Sequence, residues 1–356
     1  MSHRSRRLVR RPLIATLAVA GTAFASAVIA GPAQAATTSQ YTLTLNPNAN
    51  TGYAAINSNG DIIGNATGTD GFATAALFRA GSTTPLLLNA PAGQAADDPL
   101  VTAEALTNSD QVVGESDTGN FTALEWPDSA TPTDLSQLPF LASSLFCTMA
   151  TSINNNGLIV GYGQNVKDAD TPFTIQDSKV TKLPVLPSGG FDAQPIAVNN
   201  TGTIVGQADT STQDFKAVEW VNSKISRLAN LSGTLTSEAV DINSSGEAVG
   251  SAVLADGNAH PVLWANGKAT ELHFGADAND STANAINDSG VVVGDGGNGD
   301  AFVYQNGTAT DLNTLIPADS GVTLATADGI NNNGDIVGTA VNAQGEQFGY
   351  ELTPAG

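Results

Sequence analysis

"INNNGDIVG", Ile330 to Gly338, is an apolar residue, an asparagine, two polar residues, a glycine and a short apolar run closed by a second glycine. Alone it resembles a loose calcium loop. The same pattern recurs as "INSNGDIIG" from Ile56, "LTNSDQVVG" from Leu106, "INNNGLIVG" from Ile153, "VNNTGTIVG" from Val198, "INSSGEAVG" from Ile242 and "INDSGVVVG" from Ile286. The closing glycines are Gly64, Gly114, Gly161, Gly206, Gly250, Gly294 and Gly338, with steps of 44 to 50 residues. A period of this length marks a repeat architecture, one supersecondary unit per copy.

Each period carries a second signal, an aromatic or apolar residue followed eight positions later by leucine. The pairs are Ile175 and Leu183, Trp220 and Leu228, Trp264 and Leu272, and Tyr304 and Leu312, with one inserted residue between Trp126 and Leu135. Four short runs separated by turn residues fill each period and predict a four-stranded meander. No window holds a helical period, and Gly, Asn and Thr are too frequent for helices.

Within the motif the asparagine starts a tight turn, its side chain bonding the backbone two residues on. The glycine supplies the positive φ of a three-residue hairpin with a bulge. The pairs are Asn57 and Gly60, Asn154 and Gly157, Asn199 and Gly202, Asn243 and Gly246, Asn287 and Gly290, and Asn331 and Gly334. A calcium loop needs alternating carboxylates and a closing bidentate Glu. The copies mostly offer Asn or Ser, and none has that Glu. These are hairpins, and no metal or cofactor is expected at them.

Seven four-stranded units of about 45 residues predict an all-β, seven-bladed β-propeller. The last period ends after its third strand, "QFGYELTP", in which Tyr350 is assigned the aromatic place. A spare strand, "YTLTLNP" from Tyr41, precedes the first repeat. It completes the last blade and leaves no open edge. The rival arrangement is an open solenoid of the same repeats.

These motifs resemble the HAF-repeat family of extracellular proteins, named for a His-Ala-Phe tripeptide between the hairpin and the following aromatic. The tripeptide survives best as "HPV" from His260 and "DAF" from Asp300, and in degraded form as "KAV" from Lys216. The resemblance spans nearly all of residues 41–352. It implies a secreted propeller-like repeat protein and brings no established activity.

Residues 1–35 read as a cleavable export signal, leaving 36–356 as one propeller domain. "SHRSRRLVRR" has five arginines and no acid, an apolar stretch covers 13–30, and "AQA" ends at Ala35. The expected product is secreted and extracellular, without a stable membrane span, and monomeric. All 34 acidic residues follow residue 35, against 8 of the 13 basic ones, so the exported chain carries a net charge of −26. Such a surface repels nucleic acid and anionic lipid. The lone Cys147 in "SLFCTMA" precludes an intramolecular disulfide and is expected to be buried and inert.

In a meander blade, the first-to-second and third-to-fourth turns share one face. Second-to-third loops and inter-blade links share the other, where long, dissimilar segments mark the expected recognition face. It holds Asp97, Asp98, Asp168, Asp170, Asp192, Asp277 and Asp280. These acids are read as solvated, with a peripheral Ca2+ site between neighbouring loops as the alternative. Catalysis is poorly provided for, with two histidines (His260, His273) and two arginines (Arg79, Arg227) after residue 35. A site that clamps a carboxylate between arginines is not available. What remains is a glycosidase or lyase using Glu104, Glu238 or Asp328 near the channel mouth. Trp126, Trp220, Trp264, Tyr304 and Tyr350 are read as wedges between blades rather than sugar platforms. The sequence therefore points to a non-catalytic module binding an extracellular protein or polysaccharide, ahead of a carbohydrate-active enzyme or a structural matrix protein.

Overall fold

The computed structural model describes residues 40–355 except 69–72, 83, 92–99, 118, 128–129, 188–189, 213 and 275–279. The export signal and Asp97, Asp98 and Asp277 lie outside the described residues. The rest forms seven antiparallel sheets of four strands, the last with its inner strand in two pieces. Blade 4 shows the plan: inner strand Ala193–Val198, then Ile204–Asp209, Phe215–Val221 and outer strand Lys224–Arg227. In blade 7 the inner pieces Val322–Leu324 and Gly329–Ile330 pair with Ile336–Asn342, which pairs with Gln347–Pro354. The outer place is taken by Tyr41–Leu45, running antiparallel from Tyr41 opposite Pro354 to Leu45 opposite Tyr350. The N-terminal strand thus closes a seven-bladed propeller.

The motif hairpins are type I turns closed by a left-handed residue. In blade 4, Gly202 N–H donates to Asn199 O and Asn199 N–H to Thr203 O, with Gly202 at φ 83°. Blade 2 has Asp110 in that place at φ 62°. The third-to-fourth turns of blades 3 to 6 are two-residue turns with both residues left-handed, as at Asn266-Gly267 and Asn306-Gly307; those of blades 1 and 2 are longer. The second-to-third loops, expected to be long, are also tight: Asn165 to Ala169, Leu254 to Asn258 and Asn342 to Glu346 repeat the bulged-hairpin bonds. The inter-blade links vary in length and content. One of them, after blade 2, contains a short helix, Pro139–Ser144, against the expectation of none. Proline starts it, and Leu141 anchors it in the seam between blades 2 and 3.

The closing glycine of the motif has a steric reason. One residue of each inner strand bulges out of register: Ala54, Glu104, Thr151, Ile196, Val240 and Asn284 in blades 1 to 6. The glycine lies opposite the residue before the bulge, and an inner-strand carbonyl presses on it. A Cβ on Gly206 would sit 2.1 Å from Gln194 O, and one on Gly64 would sit 2.0 Å from Gly52 O. Opposite the glycine, on the third strand, stands the last residue of the degraded tripeptide: Val218, Val262 or Phe302.

The apolar core is divided among seven seams, each with residues from two neighbouring blades. Trp126 fills the seam between blades 1 and 2, Trp220 that between 3 and 4, and Trp264 that between 4 and 5. Their indole N–H groups donate to Asn89, Pro184 and Ala229 carbonyls in the preceding links. Tyr304 packs in part against the seam between blades 5 and 6. Tyr350 is fully buried between blades 6 and 7 but does not hold the equivalent place. Leu352 pairs with Ile336 as Trp220 pairs with Ile204, whereas Tyr350 faces Gly338. "FGY" occupies the tripeptide position, so the aromatic ring falls two residues early. It rests against the glycine and donates its hydroxyl to Thr326 O at 2.6 Å.

Two glycine substitutions separate sterics from backbone preference. Gly206→Ala must displace a strand backbone and is expected to cost at least about 3 kcal/mol in denaturant unfolding. Gly257→Ala, at φ 89° with open space around it, should cost about 1 kcal/mol for the left-handed conformation alone.

Candidate functional site

The inner strands surround a channel. At its mouth on the motif-hairpin face is a cavity of about 250 Å3 to which all seven blades contribute. Bulged residues Ala54, Glu104, Thr151, Ile196 and Val240 line it, together with Asp328 of blade 7. A bulge turns its residue away from the ladder, and so places whatever side chain the sequence puts there at the channel.

The motif asparagines encircle this mouth. Asn154 Oδ1 accepts the N–H groups of Asn156 and Leu158 at 2.9 and 3.0 Å, and its Nδ2 donates to Asn199 O of the next blade at 2.9 Å. Asn199 donates to Asn243 O, Asn243 to Asn287 O, Asn287 to Asn331 O, and Asn331 across the closure to Asn57 O. Asn57 donates to Thr107 O. Thr107 keeps the turn bonds through Oγ1 but lacks an amide N–H for blade 3. Next to this series, Asn155, Asn200, Asn108, Asp288 and Asn332 side chains accept the neighbouring blade's turn N–H groups. The turn role was readable in sequence. The bond to the next blade was not, although the preference for Asn over Asp or Ser was its signal, since those residues can start the same turn.

The three candidate acids occupy different blades. Glu104 and Asp328 hold matching places in blades 2 and 7, with Ala54 of blade 1 between them in the ring. Glu238 precedes its bulge by two residues, pairs opposite Ser251 and does not line this cavity. Asp241 and Asp288, not singled out from the sequence, do line it. Asp241 Oδ2 accepts Ile286 N–H at 2.9 Å, so this acid stitches blade 5 to blade 6. Burial pushes the Asp295 carboxyl of blade 6 up to about 6, against hydrogen bonds from Asn284 and Ala327 that favour its charged form. Asp295 satisfies the Ala327 N–H where the blade 7 inner strand is interrupted.

His260 lies away from this mouth. Its ring is held between Glu271 at 2.7 Å and Asp256 at 3.0 Å. Burial pulls its pKa down, and the hydrogen bonds and charges of the two acids outweigh that, leaving it raised. His273 is exposed and lies 3.7 Å from Glu271. Arg79 pairs with Asp110 of the next blade. Cys147, expected to be buried, is only half-buried, because the inner strand of blade 3 begins irregularly around Phe146.

The opposite face differs in kind. At the start of the inner strands of four consecutive blades stand Leu100, Phe146, Phe191 and Leu235, exposed by 46, 48, 74 and 50%. A second cavity of about 250 Å3 lies beside Phe146, between blades 2 and 3, lined also by Phe121, Leu145 and Ala142. Asp170 and Asp192 belong to a hydrogen-bonded group on this side. Asp192 Oδ1 accepts Asp170 N–H, Asp209 Oδ1 accepts Asp192 N–H, and Gln194 Nε2 donates to Asp170. Asp168 and Asp280 sit at left-handed turn positions.

The fold is similar to that of YCF48 bound to D1 peptide, with TM-score 0.50 and 11% identity over 92% of this chain and 99% of that one. A puromycin-hydrolysing peptidase from Mycobacterium tuberculosis gives TM-score 0.51 and 14% identity over 85% of this chain and 53% of its own. The BP39L lectin from Burkholderia pseudomallei gives 0.49 and 10%, covering 90% and 97%. Likeness at these identities concerns the fold alone. No protein-family model matches the sequence, and no curated protein does. Among the described residues no helix is long and apolar enough to cross a membrane.

Two substitutions probe the mouth. Asn154→Asp keeps the turn acceptor but sets a carboxylate against Asn199 O, and should cost about 1 to 3 kcal/mol, read by thermal or denaturant unfolding. The folded pKa of Asp295 stands above its ordinary value of 3.8, so the folded state holds the proton more tightly. Its contribution to stability is present at low pH and is lost as pH rises through about 6. Relative to wild type, Asp295→Asn should flatten the fall in melting temperature over that window.

Proposed function

We propose that this protein is a secreted, non-catalytic binding module that recognises an extracellular macromolecule, protein or polysaccharide, through the face bearing the inter-blade links. The observation that carries this reading is the arc of Leu100, Phe146, Phe191 and Leu235. Large apolar side chains exposed together on four adjacent blades mark an interaction site more than singly scattered ones do. On the other face, the turn asparagines spend their amides on one another, which suits them to holding blades together. The resemblance to HAF-repeat proteins supports export, as does the net charge of the chain.

Enzymatic use of the motif-side mouth is the second reading, because Glu104 and Asp328 line one cavity there. Mixing the protein with insoluble polysaccharides and with immobilised secreted proteins separates the two readings. Loss of protein from the supernatant without release of sugar, diminished by Phe191→Ser, is the expected result. Sugar released by wild type and abolished by Glu104→Gln or Asp328→Asn would establish the enzyme instead.

A further inference from the structure

The recognition face has a radial order. The exposed apolar residues sit at the inner-strand ends, next to the channel. Farther out, the second-to-third turns of successive blades carry carboxylates: Asp117, Asp168, Asp214 and Asp256 in blades 2 to 5, and Asp300 and Glu346 in blades 6 and 7. Cations are sparse beside them. Lys167 is exposed next to Val166. The Lys216 ammonium is directed onto the carbonyls of Thr234 and Leu235.

We infer that the occupant of this face is a cationic amphipathic polypeptide segment, with its apolar side chains resting on Leu100, Phe146, Phe191 and Leu235 and its Lys or Arg residues meeting the surrounding carboxylates. This deepens, and rests on, the reading of the face as the recognition surface. An apolar centre with a polar rim is the usual anatomy of a protein interface, and a rim of one charge selects partners of the other and speeds their encounter. Anionic lipid and nucleic acid are repelled by the same carboxylates.

The test measures binding of synthetic peptides to the purified protein by calorimetry at physiological salt. One peptide contains Lys and Leu, a second has each Leu replaced by Ser, and a third has each Lys replaced by Glu. The Lys/Leu peptide should bind about tenfold or more tighter than the Lys/Ser peptide, and the Glu peptide should not bind. Phe146→Ser with Phe191→Ser should erase the difference while leaving the melting temperature unchanged, since both rings are exposed in the free protein. Equal binding of the Lys/Leu and Lys/Ser peptides, or binding indifferent to the double substitution, would overturn the inference. If a polysaccharide binds through Phe146 and Phe191 and the Lys/Leu peptide does not, the inference fails and the recognition face stands. If the double substitution affects no ligand that wild type binds, both fail.

Discussion

A side-chain amide that bonds backwards into its own turn and forwards into the next blade is the interaction on which the ring depends. A four-stranded blade cannot bury both faces by itself, so its stability lies in its two seams, as in other repeat proteins. Apolar packing at the seams is not directional and would tolerate a range of tilts. Six asparagines remove that freedom at the motif-side rim, since each Nδ2 must find the neighbouring turn carbonyl at about 3 Å. Leaving a buried polar group unpaired costs more than the bond itself contributes, so each such bond acts more as a constraint on blade angle than as a source of stability.

Much of this was legible in the sequence, and the reasons are local. Asn57 and Gly60 declare a bulged hairpin because the conformation there has few residues that suit it. The Trp-to-Leu spacing declares an outer hairpin, and leucines 183, 272 and 312 do end buried in the seams. The closing glycines are visible as a repeat, but their reason is not local. Their backbone is ordinary, and the need arises from a carbonyl about a dozen residues earlier that only the bulge brings near. Tyr350 departs from the aromatic place because counting from an aromatic residue assumes that the tripeptide before it keeps its position. The recognition face was the least legible part. Phe191 in "GGFDAQP" looks like any core phenylalanine, and its exposure depends on where the inner strand begins.

The two faces thus divide the work. One is a crown of tight turns tied blade to blade, with acids such as Asp241 and Asp295 accepting N–H groups from the inner strand of the next blade. The other carries the links, the short helix Pro139–Ser144 and the apolar arc. They meet at the seam between blades 2 and 3. There Thr107 interrupts the amide series, and Leu141 of the helix fills the seam from the link side. The cavity beside Phe146 lies in the same seam. In that seam the Nδ2 tie of the motif asparagine is missing, and Asn155 Oδ1, which accepts Asn108 N–H, remains.

The closing strand also sets an order of events. Tyr41–Leu45 is made first and finds its partner, Gln347–Pro354, only after every other blade strand has been made. Once made, that third strand of blade 7 presents an unpaired edge until the N-terminal strand docks, and until blade 7 forms, blade 1 lacks a neighbour on that side. A loop spanning almost the whole described chain must close in this last step, and its entropy grows only slowly with length. The larger hazard is the waiting edge, which can capture the same strand from a second molecule. Ring closure is therefore a competition between an intramolecular search and a bimolecular one, and its outcome depends on how many unfinished chains are nearby.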